Sequence, residues 1–163
     1  MATLFQFVTD AFAKAKWAFR PVDGQNVIEA EFEAHHGKIF LHVQAFEEIG
    51  AVSVVADSHT TFGPESKMAL SELLMRTNRE LSIGAFEMDW DHGHVSFRVS
   101  NVFPPGYASH DLIASLVRTT VVEMDRLTPL LSIVKSKAGQ FVDVQALLTR
   151  EDLLPGDPDP GLN

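Results

Sequence analysis

The feature that most constrains the fold is a stretch of alternating apolar and acidic residues, VIEAEFEA, at positions 27–34. Successive side chains of a β-strand point to opposite faces, so this pattern predicts a strand with one buried face and one acidic, solvated face. A second alternating segment, KIFLHVQAF at 38–46, follows almost at once. Two such strands so close in sequence are typical of an antiparallel β-hairpin.

If His36 and Gly37 form a two-residue loop, the two strands pair apolar residues with apolar residues. In this register Phe32 lies opposite Leu41, on the face that becomes buried. A slip by one residue would place Phe32 beside His42 and would mix the two faces. We therefore predict a hairpin that is closed by His36 and Gly37.

The segment GAFEMDWDHGHVSFRV, at positions 84–99, repeats this arrangement around a second His-Gly pair. A two-residue loop at His92 and Gly93 again matches apolar positions with apolar positions. The predicted pairs are Asp91 with His94, Trp90 with Val95, Met88 with Phe97, Phe86 with Val99 and Glu87 with Arg98. This register turns Trp90 inward and gives His92 a left-handed backbone conformation, which histidine tolerates better than most residues.

Helical periodicity occurs over residues 4–16, with Thr3 as the N-cap, and again after Gly63 and Pro64. Proline suits the first position of a helix, where no backbone N–H is needed. Between these two helices, residues 51–58 predict a third strand.

The longest helix is predicted to begin at Ser109 or His110, because apolar residues then recur at spacings of four and three as far as Val134. The apolar sector covers about half of the helix circumference, which suits packing across a sheet. Proline lacks the N–H that a helix interior uses. We therefore expect Pro129 to kink this helix or to restart it with Thr128 as a new N-cap.

The element order is helix, three strands, helix, two strands, helix. Short connections between successive strands favour an antiparallel sheet, so the sequence predicts an α+β fold with about five strands and helices packed on one face. Residues 1–136 would form this single domain. The extension at 137–163 contains a possible short helix, and its Pro-, Gly- and Asp-rich end is typical of a disordered tail.

The formal charge of −9 argues against several classes of partner. An acidic chain without a concentrated basic face is unsuited to nucleic acid or to anionic lipid. The chain has no cysteine, which excludes disulfides and thiolate metal ligands. No apolar run reaches the roughly 18 residues of a membrane span, and Asp10 interrupts the apolar N-terminus where a signal peptide would be continuous. We expect a cytoplasmic protein that binds neither nucleic acid nor membrane.

Two groups of histidines and carboxylates contain residue types that bind metals. Near the first hairpin they are His35, His36 and His42 with Glu31 or Glu33, and near the second they are His92 and His94 with Asp89 or Asp91. No HExxH or related helical spacing occurs. We interpret both groups as solvated hairpin tips. The alternative is a small metal-dependent enzyme that uses the histidines and glutamates of the first group.

Residues for other catalytic chemistry are equally sparse. Serines such as Ser53 and Ser96 lack a nucleophile-elbow context, and no phosphate-binding glycine pattern occurs. Glu29, Glu31 and Glu33 could supply a carboxylate pair for acid–base catalysis. Their regular alternation, however, is typical of the solvent-exposed face of a strand. The sequence therefore predicts neither enzyme activity nor a cofactor.

Met68 and Met75 are predicted on the outer side of the helix that follows Pro64, opposite its leucine stripe. Methionine adapts to varied apolar partners, so these two residues are the candidate partner-binding residues. The alternative is that one or both pack under a loop. Unpaired strands at the sheet edges offer a second route to dimerisation or to the addition of a partner strand.

Four segments together resemble the YbjN-domain family of proposed sensory transduction regulators, whose fold is similar to that of type III secretion chaperones. The segments are EAHHGKIFLHVQAF, ELLMRTNREL, GAFEMDWDHGHVSFRVSN and VVEMDRLTPLL, and the resemblance spans about residues 3–136. It implies a bacterial, noncatalytic α+β domain that dimerises and binds proteins. We expect a chaperone-like protein or regulatory adaptor that binds a protein or peptide client and works as a homodimer.

Overall fold

Six strands form an antiparallel sheet in the computed structural model of the protein, which describes residues 1–150. The strands are β1 (Arg20–Pro21), β2 (Val27–Ala34), β3 (Gly37–Phe46), β4 (Ala51–Thr61), β5 (Ala85–Asp89) and β6 (His94–Val102). Their order across the sheet is β1-β2-β3-β4-β6-β5. The predicted α+β class is confirmed, and β1 is a short additional strand that the sequence pattern did not reveal.

Helices precede, interrupt and follow the strands. Within residues 1–150 they are α1 (Leu4–Lys14), a 3₁₀ helix (Pro64–Ser66), α2 (Lys67–Glu80), α3 (His110–Ser136) and α4 (Val144–Leu148). The predicted starts of the first and longest helices are confirmed, since Thr3 and Ser109 each accept a backbone N–H of the first turn. None of these helices combines the length and apolar character that crossing a membrane requires. The predicted disordered tail lies outside the described residues.

The buried face of the sheet packs against the helices. α3 is 27 residues long and packs across β4 and β6, while α1 packs on β3 and on α3. The largest fully buried side chains include Phe12, Ile28, Phe97, Ile113 and Leu131. Removing apolar surface from water contributes about 25 cal/mol per Å², so this interface supplies much of the driving force for folding.

The opposite face of the sheet, which we call the open face, is largely exposed to solvent. Its residues on β2 include the three exposed glutamates predicted from the alternation, Glu29, Glu31 and Glu33. Two aromatic side chains of β3, Phe40 and Phe46, are also partly exposed there. The sheet therefore has one buried face and one solvated face, as the sequence predicts.

The first hairpin is closed by His35 and His36, one residue earlier than predicted, and the predicted register is wrong by two residues. Phe32 lies opposite Ile39. A shift of two residues leaves every side chain on its predicted face, which is why apolar matching did not distinguish the two registers. A tertiary contact stabilises the observed turn, because the carboxylate of Asp125 on α3 accepts the N–H of His36.

The second hairpin has a four-residue loop, Trp90–Gly93, because Asp89 pairs directly with His94. The predicted two-residue loop is therefore wrong, and its register is again displaced by two residues. Trp90 is 53% exposed, so its predicted inward orientation is also wrong. The longer loop reflects local bonding by the Asp89 carboxylate, which is described with the candidate site.

Pro129 lies inside α3, and the helix does not restart there. Thr128 is not an N-cap, because its hydroxyl donates to the carbonyl oxygen of Met124. The predicted restart is therefore wrong. Leu127 and Leu130, on either side of the proline, are both buried in the core. Burial of this apolar face offsets the roughly 3 kcal/mol that proline costs inside a helix.

Gly93→Ala is expected to destabilise the protein, because the hairpin loop touches the backbone of Phe62 at this point. The Phe62 N–H donates to the Gly93 carbonyl at 2.9 Å, and a Cβ added at Gly93 would lie 1.9 Å from the Phe62 carbonyl oxygen. Alanine would also have to adopt a φ of +69°. We expect the free energy of unfolding, measured by urea denaturation, to fall by about 2–4 kcal/mol.

Gly106→Ala is the matched control for this variant. Gly106 also has a positive φ, +83°, but a Cβ added there would meet no atom within 4 Å. The expected decrease in the free energy of unfolding is about 1 kcal/mol, because only the left-handed conformation of alanine is unfavourable there. Equal losses in the two variants would contradict the importance of the contact with Phe62.

Candidate functional site

The predicted partner-binding residues, Met68 and Met75, lie on the exposed side of α2. Their side chains are 76% and 73% exposed. They are seven residues apart, about two helical turns, so they lie on the same side of the helix. Glu72 lies between them in sequence and forms an ion pair, 2.8 Å long, with Arg76. We call these four residues the α2 outer face.

Trp90 of the neighbouring hairpin lies near the start of α2 and is also exposed. The ammonium group of Lys67, at the start of α2, lies 5.2 Å from the centre of the indole ring. Because Lys67 directly precedes Met68, this cation–π contact places Trp90 near the first turn of the helix. Sequence reasoning missed Trp90 by assigning it to the core. The run of polar residues that follows it was the signal for a longer, exposed loop.

Asn78 attaches α2 to the edge of the sheet. Its side-chain amide donates to the Phe86 carbonyl at 2.9 Å and accepts the Phe86 N–H at 2.7 Å. The amide therefore satisfies the outward backbone groups of Phe86, the second residue of β5, as a neighbouring strand would. Leu70, Leu73 and Leu74 are buried on this side of α2. The leucine side of α2 thus faces the protein, and the α2 outer face remains exposed.

The histidines of the first hairpin loop contact a buried carboxylate. Asp125 Oδ1 accepts the His36 N–H at 2.8 Å, and Asp125 Oδ2 lies 3.6 Å from His35 Nδ1. His36 Nδ1 also lies 3.1 Å from the Asp125 carbonyl oxygen. The sequence analysis did not identify Asp125, although an acid four residues after the apolar Val121 was a signal. This cluster joins the hairpin to α3.

The remaining candidate ligands of the first hairpin lie on the open face. Lys38 Nζ is 2.7 Å from a Glu31 oxygen and 3.6 Å from a Glu33 oxygen. The hydrogen bond to Glu31 is the main reason why the pKa of Lys38 is raised above its ordinary value. His42 Nδ1 lies 3.9 Å from Asp57 Oδ2 on β4. These glutamates and His42 therefore have partners other than the loop histidines.

The candidate ligands of the second hairpin form a hydrogen-bonded turn. Asp89 Oδ1 accepts the N–H groups of Asp91 at 3.0 Å and of His92 at 3.1 Å, and Oδ2 lies 2.9 Å from His92 Nδ1. The hydrogen bond with the His92 side chain is the main cause that lowers the pKa of Asp89. His92 has a negative φ, so its predicted left-handed conformation is wrong. Asp89 organises the four-residue loop.

The structure does not assemble a metal site from these residues. Within residues 1–150, no group of three or more histidine, aspartate or glutamate side chains has an arrangement that could hold a metal ion. A groove of about 620 Å³ beside the second hairpin is lined by Asp57, Glu87, Asp89 and His94, among others. These four residues belong to the acidic open face, and they do not form a group that could hold a metal ion. The metal-dependent alternative therefore has no ligand set in the described part of the chain.

Comparison with known proteins identifies a related fold. No protein-family model matches the chain, and no curated protein matches it in sequence. Among solved structures, the fold is similar to the crystal structure of YbjN, described as a putative transcription regulator from E. coli, with a TM-score of 0.56 and 10% sequence identity. The match covers 76% of this chain and 86% of that chain. At this identity the comparison establishes similarity of fold, in agreement with the resemblance seen in the sequence.

Asp125→Ala is expected to release the first hairpin loop from α3. The variant removes a carboxylate that accepts the His36 N–H, and bonds to charged acceptors contribute about 1.5–3 kcal/mol. We expect the free energy of unfolding, measured with urea, to fall by about 2 kcal/mol. Asp125→Asn keeps an acceptor oxygen at this position and should lose less. A loss in the asparagine variant as large as in the alanine variant would contradict the role of the accepted hydrogen bond.

The pKa of Asp89, measured by NMR titration of its carboxyl group, is expected to lie below the ordinary value because of the His92 hydrogen bond. A lowered pKa in the folded state means that the turn adds stability above the unfolded pKa, near 4, and that this stability is lost as the pH falls through the folded value. His92→Ala should raise the pKa of Asp89. His94→Ala is the control and should leave it low, so an equal rise in both variants would contradict the assignment.

Proposed function

We propose that the chain is a noncatalytic protein-binding module, a chaperone-like protein or regulatory adaptor that works as a homodimer in the cytoplasm and binds a protein or peptide client. The observation that carries this proposal is the α2 outer face, with Met68 and Met75 exposed and Trp90 beside the start of the helix. These side chains offer a partner apolar surface that residues 1–150 leave uncovered.

The residue types on this surface suit protein contact. Burying a methionine side chain is more favourable than leaving it in water by about 1.5–3 kcal/mol, and methionine fits surfaces of varied shape. Tryptophan is enriched among the residues that dominate binding energy at protein interfaces. Met68, Met75 and Trp90 together therefore supply both an adaptable and a rigid apolar contact.

The spacing of the methionines also suits a contact between two copies of the chain. In an antiparallel pairing of two α2 helices about a twofold axis, Met68 of one copy would lie opposite Met75 of the other. Such a surface is complementary to itself, as a twofold interface requires. We therefore assign the homodimer contact to the α2 outer face.

The charged groups favour protein binding over nucleic-acid binding. Several of the cations form ion pairs within the protein, including Arg20 with Glu29, Lys38 with Glu31, Arg76 with Glu72 and Arg98 with Glu87. Cations that are already paired, in a chain with a formal charge of −9, leave little attraction for a phosphate backbone. The regulatory role described for YbjN is compatible with action through proteins, and it supports the adaptor proposal.

Size-exclusion chromatography with light scattering tests the dimer and its interface. The untagged protein is expected to have twice the chain mass of 18.0 kDa. The double variant Met68→Lys/Met75→Lys should be a monomer, because four charges, two from each copy, would be buried without partners in the interface. Circular dichroism should show that the variant remains folded, since both side chains are exposed.

Val102→Lys is the matched control for the methionine variant. Val102 is 65% exposed but lies on β6, away from the α2 outer face. This variant should remain a dimer. A monomeric wild-type protein at high concentration would reject the homodimer, and a dimeric double variant would reject the α2 outer face as its interface.

A further inference from the structure

One edge of the sheet is only partly covered. β1 is two residues long and pairs with Ile28 and Glu29 near the start of β2. The rest of β2, from Ala30 to Ala34, continues beyond the end of β1. A strand without a neighbour exposes backbone N–H and C=O groups that another chain can bond.

The hydrogen-bond pattern identifies which backbone groups are exposed. The Ala45 N–H donates to the Asn26 carbonyl, so the even-numbered residues of β2 bond to β3. The Val22 N–H donates to the Val27 carbonyl, so the odd-numbered residues point away from β3, toward the β1 side. Because hydrogen-bonding directions alternate along an antiparallel strand, the same assignment of even- and odd-numbered residues holds to the end of β2.

Glu31 and Glu33 therefore direct their N–H and C=O groups outward, beyond the end of β1. No backbone or side-chain group within residues 1–150 bonds to these four groups. The opposite edge of the sheet differs, since the Asn78 amide occupies the outward groups of Phe86 on β5. We call the segment from Glu31 to Glu33 the free edge.

The two faces beside the free edge have different chemistry. On the open face, the carboxylates of Glu31 and Glu33 share the single ammonium group of Lys38, which leaves a net negative charge. On the buried face, Phe32 packs edge-on against Trp17, with ring centres 5.3 Å apart. A strand added here would meet acids on one face and aromatic rings on the other.

Space for an added segment exists at this point. A groove of about 310 Å³ lies beside Phe19, Arg20, Glu31 and Phe40, where β1 begins. Side chains of an extended segment could enter it from the free edge. Glu31, at one end of the free edge, lines this groove.

The charge of the free edge argues against a second copy of the chain as its occupant. Two β2 strands paired antiparallel about a twofold axis would bring Glu31 and Glu33 against the same acids of the other copy. Like charges directly opposite one another destabilise strand pairing. Basic residues at the same positions of a different partner would be attracted instead.

We propose that the free edge binds an extended segment of a client protein by strand addition, and that this segment alternates basic with apolar residues. The backbone groups of Glu31 and Glu33 supply hydrogen bonds, and their carboxylates attract lysine or arginine on the open face. On the other face, the partly exposed ring of Trp17, which packs on the buried Phe32, contacts the apolar residues. This inference rests on the proposed protein-binding function and specifies the chemistry of the client.

Amide hydrogen exchange measured by NMR on the full chain tests strand addition residue by residue. The probe is an acetylated, amidated heptapeptide of alternating Lys and Val. Without peptide, the amides of Glu31 and Glu33 should exchange rapidly, while those of Ala30 and Phe32, bonded within the sheet, are protected. With peptide, Glu31 and Glu33 should become protected, and the fluorescence of Trp17 should change.

Charge variants test the chemistry of recognition. Glu31→Gln/Glu33→Gln should weaken peptide binding about five-fold, as expected for two exposed charges. Asp57→Asn/Glu87→Gln is the matched control, because it removes the same charge elsewhere on the open face, and it should bind with unchanged affinity. A peptide with Glu in place of Lys should bind at least ten-fold more weakly.

The outcomes separate this inference from the proposed function. Protection of Glu31 and Glu33 together with the charge dependence supports strand addition. No binding at millimolar peptide, binding without that protection, or equal weakening in both double variants would overturn it. Protection without peptide would show that a second copy occupies the edge, which also overturns it. The mass of the methionine variant tests the α2 outer face independently, so either idea can fail alone.

Discussion

Burial of one face of the antiparallel sheet beneath α3 and α1 is the interaction on which the rest of the structure depends. α3 crosses β4 and β6, two strands that are distant in sequence and whose direct pairing joins the two hairpins into one sheet. This burial supplies most of the favourable free energy of folding. It therefore outweighs the unfavourable helix propensity of a single residue. Pro129 remains inside the helix for this reason. The opposite face needs no cover because its residues are largely polar.

The two edge regions of the sheet are covered in different ways, and this difference determines which surfaces remain available for binding. At β5, the Asn78 amide replaces a neighbouring strand and holds α2 against the edge. The leucine side of α2 is thereby buried, and Met68 and Met75 are left in solvent. At β2, the short β1 leaves Glu31 and Glu33 without a strand neighbour on the side away from β3. One surface is apolar and helical, and the other is acidic and extended, so they suit partners of different chemistry.

Much of the fold could be predicted from residue patterns, and the errors share a cause. Alternation with a period of two assigns each strand residue to a face but is unchanged when a register moves by two residues. Both hairpins differ from prediction by this shift. Asp125 stabilises the observed turn of the first hairpin, and Asp89 stabilises that of the second. Matching apolar residues across the strands takes no account of either contact. The same error placed Trp90 in the core and removed it from the candidate site.

The sequence by itself determined the five longer strands, their buried faces, the starts of α1 and α3 and the exposed side of α2, because these follow from local periodicity and capping. Only the tertiary structure decided the registers, the anchoring of the hairpin loop to α3, the exposure of Trp90 beside α2 and the free edge of β2. Each of these depends on which distant segments meet: Asp125 reaches His36 from 89 positions away. Periodicity describes a segment alone, whereas such contacts form only when the whole chain packs.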